Sequence, residues 1–362
     1  MDTGKLNRIL DAMKEQDMPQ MIIADPLTIF WLTGKMIIPG ERLLALYLNV
    51  NGNHKLMINE LFPQEKDLGV DLVYYNDVQD GVEILSKFVE KDKPIGIDKI
   101  WPARFLLRLQ ELGAGSKFLN GSMIIDYIRM IKDEKEQALM RESSRLNDIA
   151  VERLIPWVAK GLTEKELNAK IREIYKDLGC EDVSFDPITA YAKGAADPHH
   201  VTDDSKGKRG DCVILDIGGF KDHYASDLTR TVFIGEVSDR AREIYDIVVE
   251  ANRRGIAAAK PGNRMCDVDA AARDYITEKG FGEYFTHRTG HSIGLEDHEF
   301  GDVSSVNTDI IKPGQCFSVE PGIYLSDEGI GVRIEDLVLI TEDGCEVLNH
   351  FTKDLIVVPE EA

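Results

Sequence analysis

Apolar residues recur at helical spacing over Leu6–Glu15, and the short apolar runs Met21–Ala24 and Leu43–Asn49 read as strands, the second closed by an Asn51-Gly52-Asn53 turn. Helix-like and strand-like stretches alternate in this way until Asn120-Gly121-Ser122, where the pattern changes. Asp133–Ala159 carries one long amphipathic helix, with Asp133, Glu134 and Glu136 in the first turn, where the helix dipole favours negative charge. Pro156 is expected to kink it near its end. Thr163–Gly179 reads as a second helix, opened by a Thr163/Glu166 capping box and stopped by Gly179. The change of texture predicts two domains, 1–125 and 126–362.

The second part repeats itself faintly. A long helix ending at Ala159-Lys160-Gly161 precedes Thr163–Gly179, and another, Arg240–Ala259, ends at Ala259-Lys260-Pro261-Gly262 and precedes Cys266–Gly280. The strands that follow also match: Gly210-Asp-Cys-Val-Ile-Leu-Asp216 against Gly314-Gln-Cys-Phe-Ser-Val-Glu320. In both, an acid closes an apolar strand six residues after a glycine. Two duplicated halves would bring those acids toward one central site.

Composition narrows the class. The chain has 362 residues, 43% of them hydrophobic, and a formal net charge of −21. That length suits two domains with a core each, and the hydrophobic share is too high for an acidic disordered chain. The sign of the charge is opposite to the basic footprint of a nucleic-acid binder. The longest apolar runs, such as Leu43–Leu48, fall far short of the ~20 residues that cross a bilayer. Met1-Asp2-Thr3-Gly4-Lys5-Leu6 lacks the basic and apolar regions of a secretory signal. Cys180, Cys212, Cys266, Cys316 and Cys345 are scattered without a CxxC, as reduced thiols are. The expectation is a cytoplasmic protein with no nucleic-acid or membrane partner.

The acids suggest chemistry. Asp216 ends one strand and Asp227 opens the next apolar run, Leu228–Ile234, with the midpoint at Lys221-Asp222 as the expected hairpin tip. The two carboxylates are then roughly opposite on antiparallel strands and face the same side. Glu320 and Glu335 repeat this about the turn-rich Ser326-Asp-Glu-Gly329. Like charges directly opposite in a sheet repel, so a chain that does this twice needs a cation between them; four carboxylates balance two divalent ions. Five of the eight histidines fall in two short segments: His287, His291 and His298 in one, and His199 and His200 after Pro198 in the other. An oxygen-rich set with one imidazole suits manganese or a similarly hard ion. Each acid alone reads as a solvated turn residue, His200 and His223 as ordinary histidines, and Cys212 and Cys316 as small core residues; only the joint pattern points to a site.

These motifs, Leu215-Asp216-Ile-Gly, Ser226-Asp227-Leu-Thr-Arg-Thr231, Thr289-Gly-His291, Val319-Glu320-Pro-Gly-Ile-Tyr324 and Gly331-Val-Arg-Ile-Glu335-Asp336, together resemble the M24 family of methionine aminopeptidases, prolidases and creatinases. Phe30-Trp31-Leu-Thr-Gly34 resembles the N-terminal domain of its Xaa-Pro branch. The resemblance implies an α+β fold: a C-terminal pita-bread domain with duplicated halves, preceded by a smaller α/β creatinase/prolidase-type domain. It implies two divalent metal ions, manganese foremost with cobalt or zinc as alternatives, on Asp216, Asp227, His291, Glu320 and Glu335. Asp227 and Glu335 would bridge them; in such enzymes a bridging hydroxide attacks the scissile carbonyl and Glu320 also shuttles protons. His199 and His298 match the histidines that steady substrate and tetrahedral intermediate, and His287 and Arg333 match further site residues. Tyr324 and Thr229 read as pocket residues or as sheet packing.

The implied activity is cleavage of the Xaa-Pro bond of a small peptide with proline second, by a homodimer. Some prolidases carry an arginine after the equivalent of His298-Glu299 to hold a dipeptide's carboxylate. Here Glu299-Phe-Gly-Asp-Val-Ser-Ser305 has neither arginine nor proline, which leaves Arg288 as the candidate substitute and aminopeptidase P as the alternative to a dipeptidase. A non-catalytic binding protein on this fold, a methionine aminopeptidase and a hydrolase of another small amide are the remaining readings.

Overall fold

In the computed structural model, which describes residues 1–198 and 200–360, the chain divides into the units Met1–Arg129 and Met130–Ala362. In the first, strands β1 (Gln20–Ile23), β2 (Ala45–Asn49), β3 (Lys55–Asn59), β4 (Asp71–Tyr75), β5 (Pro94–Ile97) and β6 (Lys117–Asn120) form one sheet in the order β4-β3-β2-β1-β5-β6. All residues of β1 and β2 are buried, which is why both read as continuous apolar runs rather than alternating ones. The helix read over Leu6–Glu15 spans Thr3–Glu15. Phe30 and Trp31 lie on the helix Pro26–Thr33, which Asp25 caps and Gly34 ends at a φ of +71°, a conformation glycine adopts at no steric cost.

The second unit is built twice over. Its first helix pair is Glu134–Val158, with Asp133 and Glu136 in a capping box, and Glu164–Asp177, with the Thr163/Glu166 box in place and Gly179 at a φ of +74°. The longer helix continues past Pro156 to Val158. The second pair is Asp239–Ala258 and Met265–Glu278. After the first pair come β7 (Ile188–Tyr191), β8 (Cys212–Ile217), the short β9 (Phe220–Lys221) and β10 (Tyr224–Ala225), and β11 (Leu228–Ile234). After the second come β12 (Gly290–Ser292), β13 (Glu299–Val303), β14 (Cys316–Val319), β15 (Gly322–Leu325), β16 (Ile330–Arg333), β17 (Asp336–Ile340), β18 (Cys345–Val347) and β19 (Ile356–Val358). The sheets run β19-β11-β8-β7 and β13-β12-β14-β17-β18, so β7-β8-β11 in one half answers β12-β14-β17 in the other.

Strand alternation decides what faces what. Val213, Leu215 and Ile217 pack with Val151, Leu154, Leu167 and Ile171 of the first helix pair. Cys212 and Ile214 pack with Ile244, Val248, Ala272 and Ile276 of the second. Asp216 follows Ile214 by two residues and therefore projects to the face between the halves. Cys212 and Cys316 are buried, and no cysteine forms a disulfide. Among the described residues no helix is long and apolar enough to cross a membrane.

Candidate active site

Two hairpins place the four acids. In the first, β8 and β11 pair with Asp216 opposite Thr229, and the tip is Asp222-His223, at φ of 50° and 69°. This is one residue beyond the expected tip, because two consecutive left-handed residues close a hairpin in step with strand twist. A one-residue shift at the tip moves the pairing by two, so Asp227 keeps the face of Asp216, one diagonal step away rather than directly opposite. In the second hairpin Gly322 pairs with Arg333 and Val319 with Asp336, which leaves Glu320 facing Glu335 between the two ladders. Their backbone N–H groups donate elsewhere: Glu320 to the Thr289 carbonyl at 2.8 Å and Glu335 to the Thr229 carbonyl at 3.1 Å. Those bonds tie the second hairpin to the first and to the segment before His291. The His291 N–H is held by Ser318 Oγ at 3.0 Å, and the same hydroxyl donates to Glu320 Oε1 at 3.2 Å.

The five side chains converge on a cavity of about 430 Å³, also lined by His287, Arg288, Asp297, His298 and Arg333. Nε2 of His291 is 3.5 Å from both Asp227 Oδ2 and Glu320 Oε1, while Nδ1 meets the Ser292 carbonyl at 3.2 Å. Burial, reinforced by His298, lowers the His291 pKa to about 3. The imidazole is therefore neutral, with its proton on Nδ1 and a lone pair on Nε2 aimed at the acids. Burial and mutual repulsion act the other way on the carboxyls. Asp227 and Glu335 are pushed well above the usual carboxylate range. Burial, opposed by Arg333 and aided by Asp216, brings Glu320 up to about 7. Burial with Asp216 and Glu320 nearby brings Asp297 to about 8.

A polar chain surrounds the acids. Arg333 donates to Asp216 Oδ2 at 2.5 Å and to the Tyr324 hydroxyl at 2.9 Å. Tyr324 in turn meets His287 Nε2 at 2.8 Å, and His287 Nδ1 meets the Arg288 carbonyl at 2.7 Å. Arg288 donates to His298 Nδ1 at 2.9 Å, and the His298 ring stacks on His291 with centroids 3.8 Å apart. Thr229 Oγ1 donates to Glu335 Oε2 at 2.7 Å.

The chain matches the profile of Metallopeptidase family M24 over residues 138–342 and that of the Creatinase/Prolidase N-terminal domain over residues 5–131. It belongs to the M24 metallopeptidase family. An uncharacterized peptidase of Staphylococcus aureus strain MW2 is 35% identical over 352 residues, 96% of this chain and 99% of that one. The crystal structure of a prolidase from Pyrococcus horikoshii OT3 superposes with a TM-score of 0.89 at 31% identity, covering 98% of this chain and 100% of that one. That of an X-Pro aminopeptidase from Thermotoga maritima MSB8 gives 0.83 at 30% identity, covering 96% and 100%. The fold is thus a creatinase-type α/β domain followed by an M24 pita-bread domain, and the protein is a peptidase.

M24 membership implies divalent metal ions, and the donor set fits them. Asp227, His291 and Glu335 offer ligand atoms within 4.8 Å of one another. Asp216 Oδ1, Asp227 Oδ1 and Glu335 Oε1 are buried with no hydrogen-bond partner among the described residues, an arrangement that costs free energy unless a cation meets them. A second cluster, Glu164, His200 and Asp203, is different in kind. There Glu164 already accepts from the Tyr191 and Asp203 N–H groups at 3.0 and 2.9 Å and contacts His200 Nε2 at 2.7 Å, so it fastens a loop.

Of the residues read from sequence, His199 lies outside the described residues; the others named for the site line the cavity or, as Tyr324 does, bond to a side chain that lines it. Sequence reading passed over three residues. Glu299 accepts from Lys132 Nζ at 2.8 Å and from the Leu295 N–H at 3.0 Å, fixing the turn that carries His298. Ser318, two residues before Glu320, aligns both Glu320 and His291. Asp297 adds a carboxylate to the cavity, its only signal being an acid directly before His298.

Proposed function

We propose that this metallopeptidase is an Xaa-Pro dipeptidase whose Asp216, Asp227, His291, Glu320 and Glu335 hold two divalent cations, manganese foremost. The observation that carries this is the convergence of four carboxylates and one neutral imidazole on a single cavity, with three of the acids each keeping a buried oxygen that has no hydrogen-bond partner among the described residues. Cations bound there would polarise the scissile carbonyl and activate water. The chain's own groups orient and exchange protons around that chemistry. Arg333 fixes Asp216 and, through Tyr324, the His287 ring. Glu320 is the carboxyl placed to take a proton and return it to the leaving amine. His298, receiving a hydrogen bond from Arg288 at Nδ1, carries its own proton on Nε2 and can donate it to a developing oxyanion.

The names of the solved relatives, a prolidase and an X-Pro aminopeptidase, support proline as the second residue. The cavity, about 430 Å³, has room for a small peptide. Arg288, exposed and lining the cavity, supplies the guanidinium for a dipeptide's free carboxylate. The test compares Ala-Pro with Ala-Pro-Gly on manganese-loaded enzyme. The dipeptide is expected to be the better substrate, and Arg288→Ala to raise its KM about tenfold or more, beyond any loss of kcat that both peptides share once His298 is released. Faster release of Ala from the tripeptide would make the enzyme an aminopeptidase P instead. No cleavage of either by the metal-bound protein would point to another amide.

A further inference from the structure

Asp297 stands in the turn between β12 and β13, immediately before His298, and lines the same cavity as the five proposed ligands. Its Oδ2 is 3.4 Å from His298 Nε2, and its Oδ1 is buried with no hydrogen-bond partner among the described residues. Asp227 and Glu335 each present a buried, unpartnered oxygen to the same space, and the Asp227 side chain is only 6% exposed. Of the donors around them, Arg333 is engaged on Asp216 and Tyr324, Arg288 on His298 and Ser318 on Glu320, while His298 Nε2 stands by the other Asp297 oxygen. The Asp297 and Asp227 carboxyls stand close enough to share a hydrogen bond when one of them holds a proton. Two buried carboxylates side by side are held together by a proton, a water or a cation between them, and in a family that binds divalent ions the cation is the group that can meet both.

We propose that Asp297 is a sixth protein group of the metal centre, a carboxylate that shares the bound cations with Asp227. The inference rests on the reading of the five-residue set as that centre. An added carboxylate raises the affinity of an oxygen-rich site for a hard cation, because affinity there follows the number of charged ligands. Asp297→Asn keeps the shape and removes the charge; Asp297→Glu keeps the charge on a longer arm.

The experiment is calorimetric titration of manganese into chelator-stripped, full-length protein, for the wild type, both Asp297 variants and Asp227→Asn, with circular dichroism confirming the fold of each. Asp297→Asn is expected to weaken at least one of the manganese sites tenfold or more, with Asp297→Glu between it and the wild type. Wild-type affinity in Asp297→Asn, alongside loss in Asp227→Asn, would overturn the proposal. Unchanged affinity together with a raised KM for Ala-Pro would overturn it too, and assign Asp297 to the substrate's ammonium. Full affinity in Asp227→Asn as well would bring down the five-residue centre itself. If Asp297→Asn does not fold, Asp297→Glu decides, since a metal contact should be altered by moving the carboxylate by one methylene.

Discussion

Arg230 is the largest fully buried side chain among the described residues, and it holds the site from behind. Its guanidinium donates to Asp336 Oδ1 at 2.7 Å, to the Glu335 carbonyl at 2.6 Å and to the Thr229 carbonyl at 2.9 Å, so it fixes the backbone on either side of the second hairpin's acid. Burial works against the Asp336 charge, but Arg230 and Lys353 together hold its pKa below the usual range. Asp336→Ala would leave Arg230 buried and unbalanced, at a cost of roughly 3–5 kcal/mol. Denaturant unfolding measures it, and a loss under about 1 kcal/mol would show that the pair carries little. Arg230 falls inside the Ser226–Thr231 motif, where the sequence alone marks no role for it. A side chain beside a strand's apolar face carries no periodic signal that it is paired, whereas an acid ending an apolar run does. That difference is why the four strand-end acids were legible while Arg230, Ser318 and Asp297 were not.

Among the elements, the strand breaks do the positioning. Glu320 and Glu335 sit where one ladder stops and the next begins, and their N–H groups cross to Thr289 and Thr229. The close approach this needs is visible at Gly290, where a Cβ would lie 1.9 Å from the Ser318 carbonyl oxygen. Gly290→Ala must therefore push β12 from β14 and displace His291. Metal retained after dialysis is expected to fall to less than half the wild-type content, read by elemental analysis, while the helices keep their far-ultraviolet signal; wild-type metal content would mean the strands can part without moving His291. Where caps and stops mark them, as at Asp133, Thr163 and Gly179, helix limits were legible to within a residue or two because these are local chemistry; the first helix begins at Thr3, three residues before the apolar pattern does. The hairpin tip lies one residue beyond the expected one, since Asp222 and His223 take left-handed conformations with no glycine or asparagine at the tip to mark them.

At the scale of the whole molecule, stability couples to protons and metal. In the metal-free protein Glu320 and Asp297 titrate near 7 and 8, above their unfolded values. A carboxyl whose folded pKa is raised binds its proton more tightly in the native state, so metal-free stability is greatest at low pH and falls as pH rises through 7 to 8. Chelator-stripped protein should therefore lose Tm between pH 6 and 9, and added manganese should restore most at the alkaline end, where ligands are deprotonated. A flat or rising metal-free Tm over that window would contradict the site's electrostatics. Fold and family were legible from pattern and motifs because the duplicated halves repeat their signals.

The most direct measurement is the initial rate of Ala-Pro hydrolysis as manganese is titrated into stripped enzyme. The account predicts no turnover without metal and a rise that saturates at two ions per chain. Equal turnover by stripped protein, or saturation of both sites with Ala-Pro left intact, would contradict it.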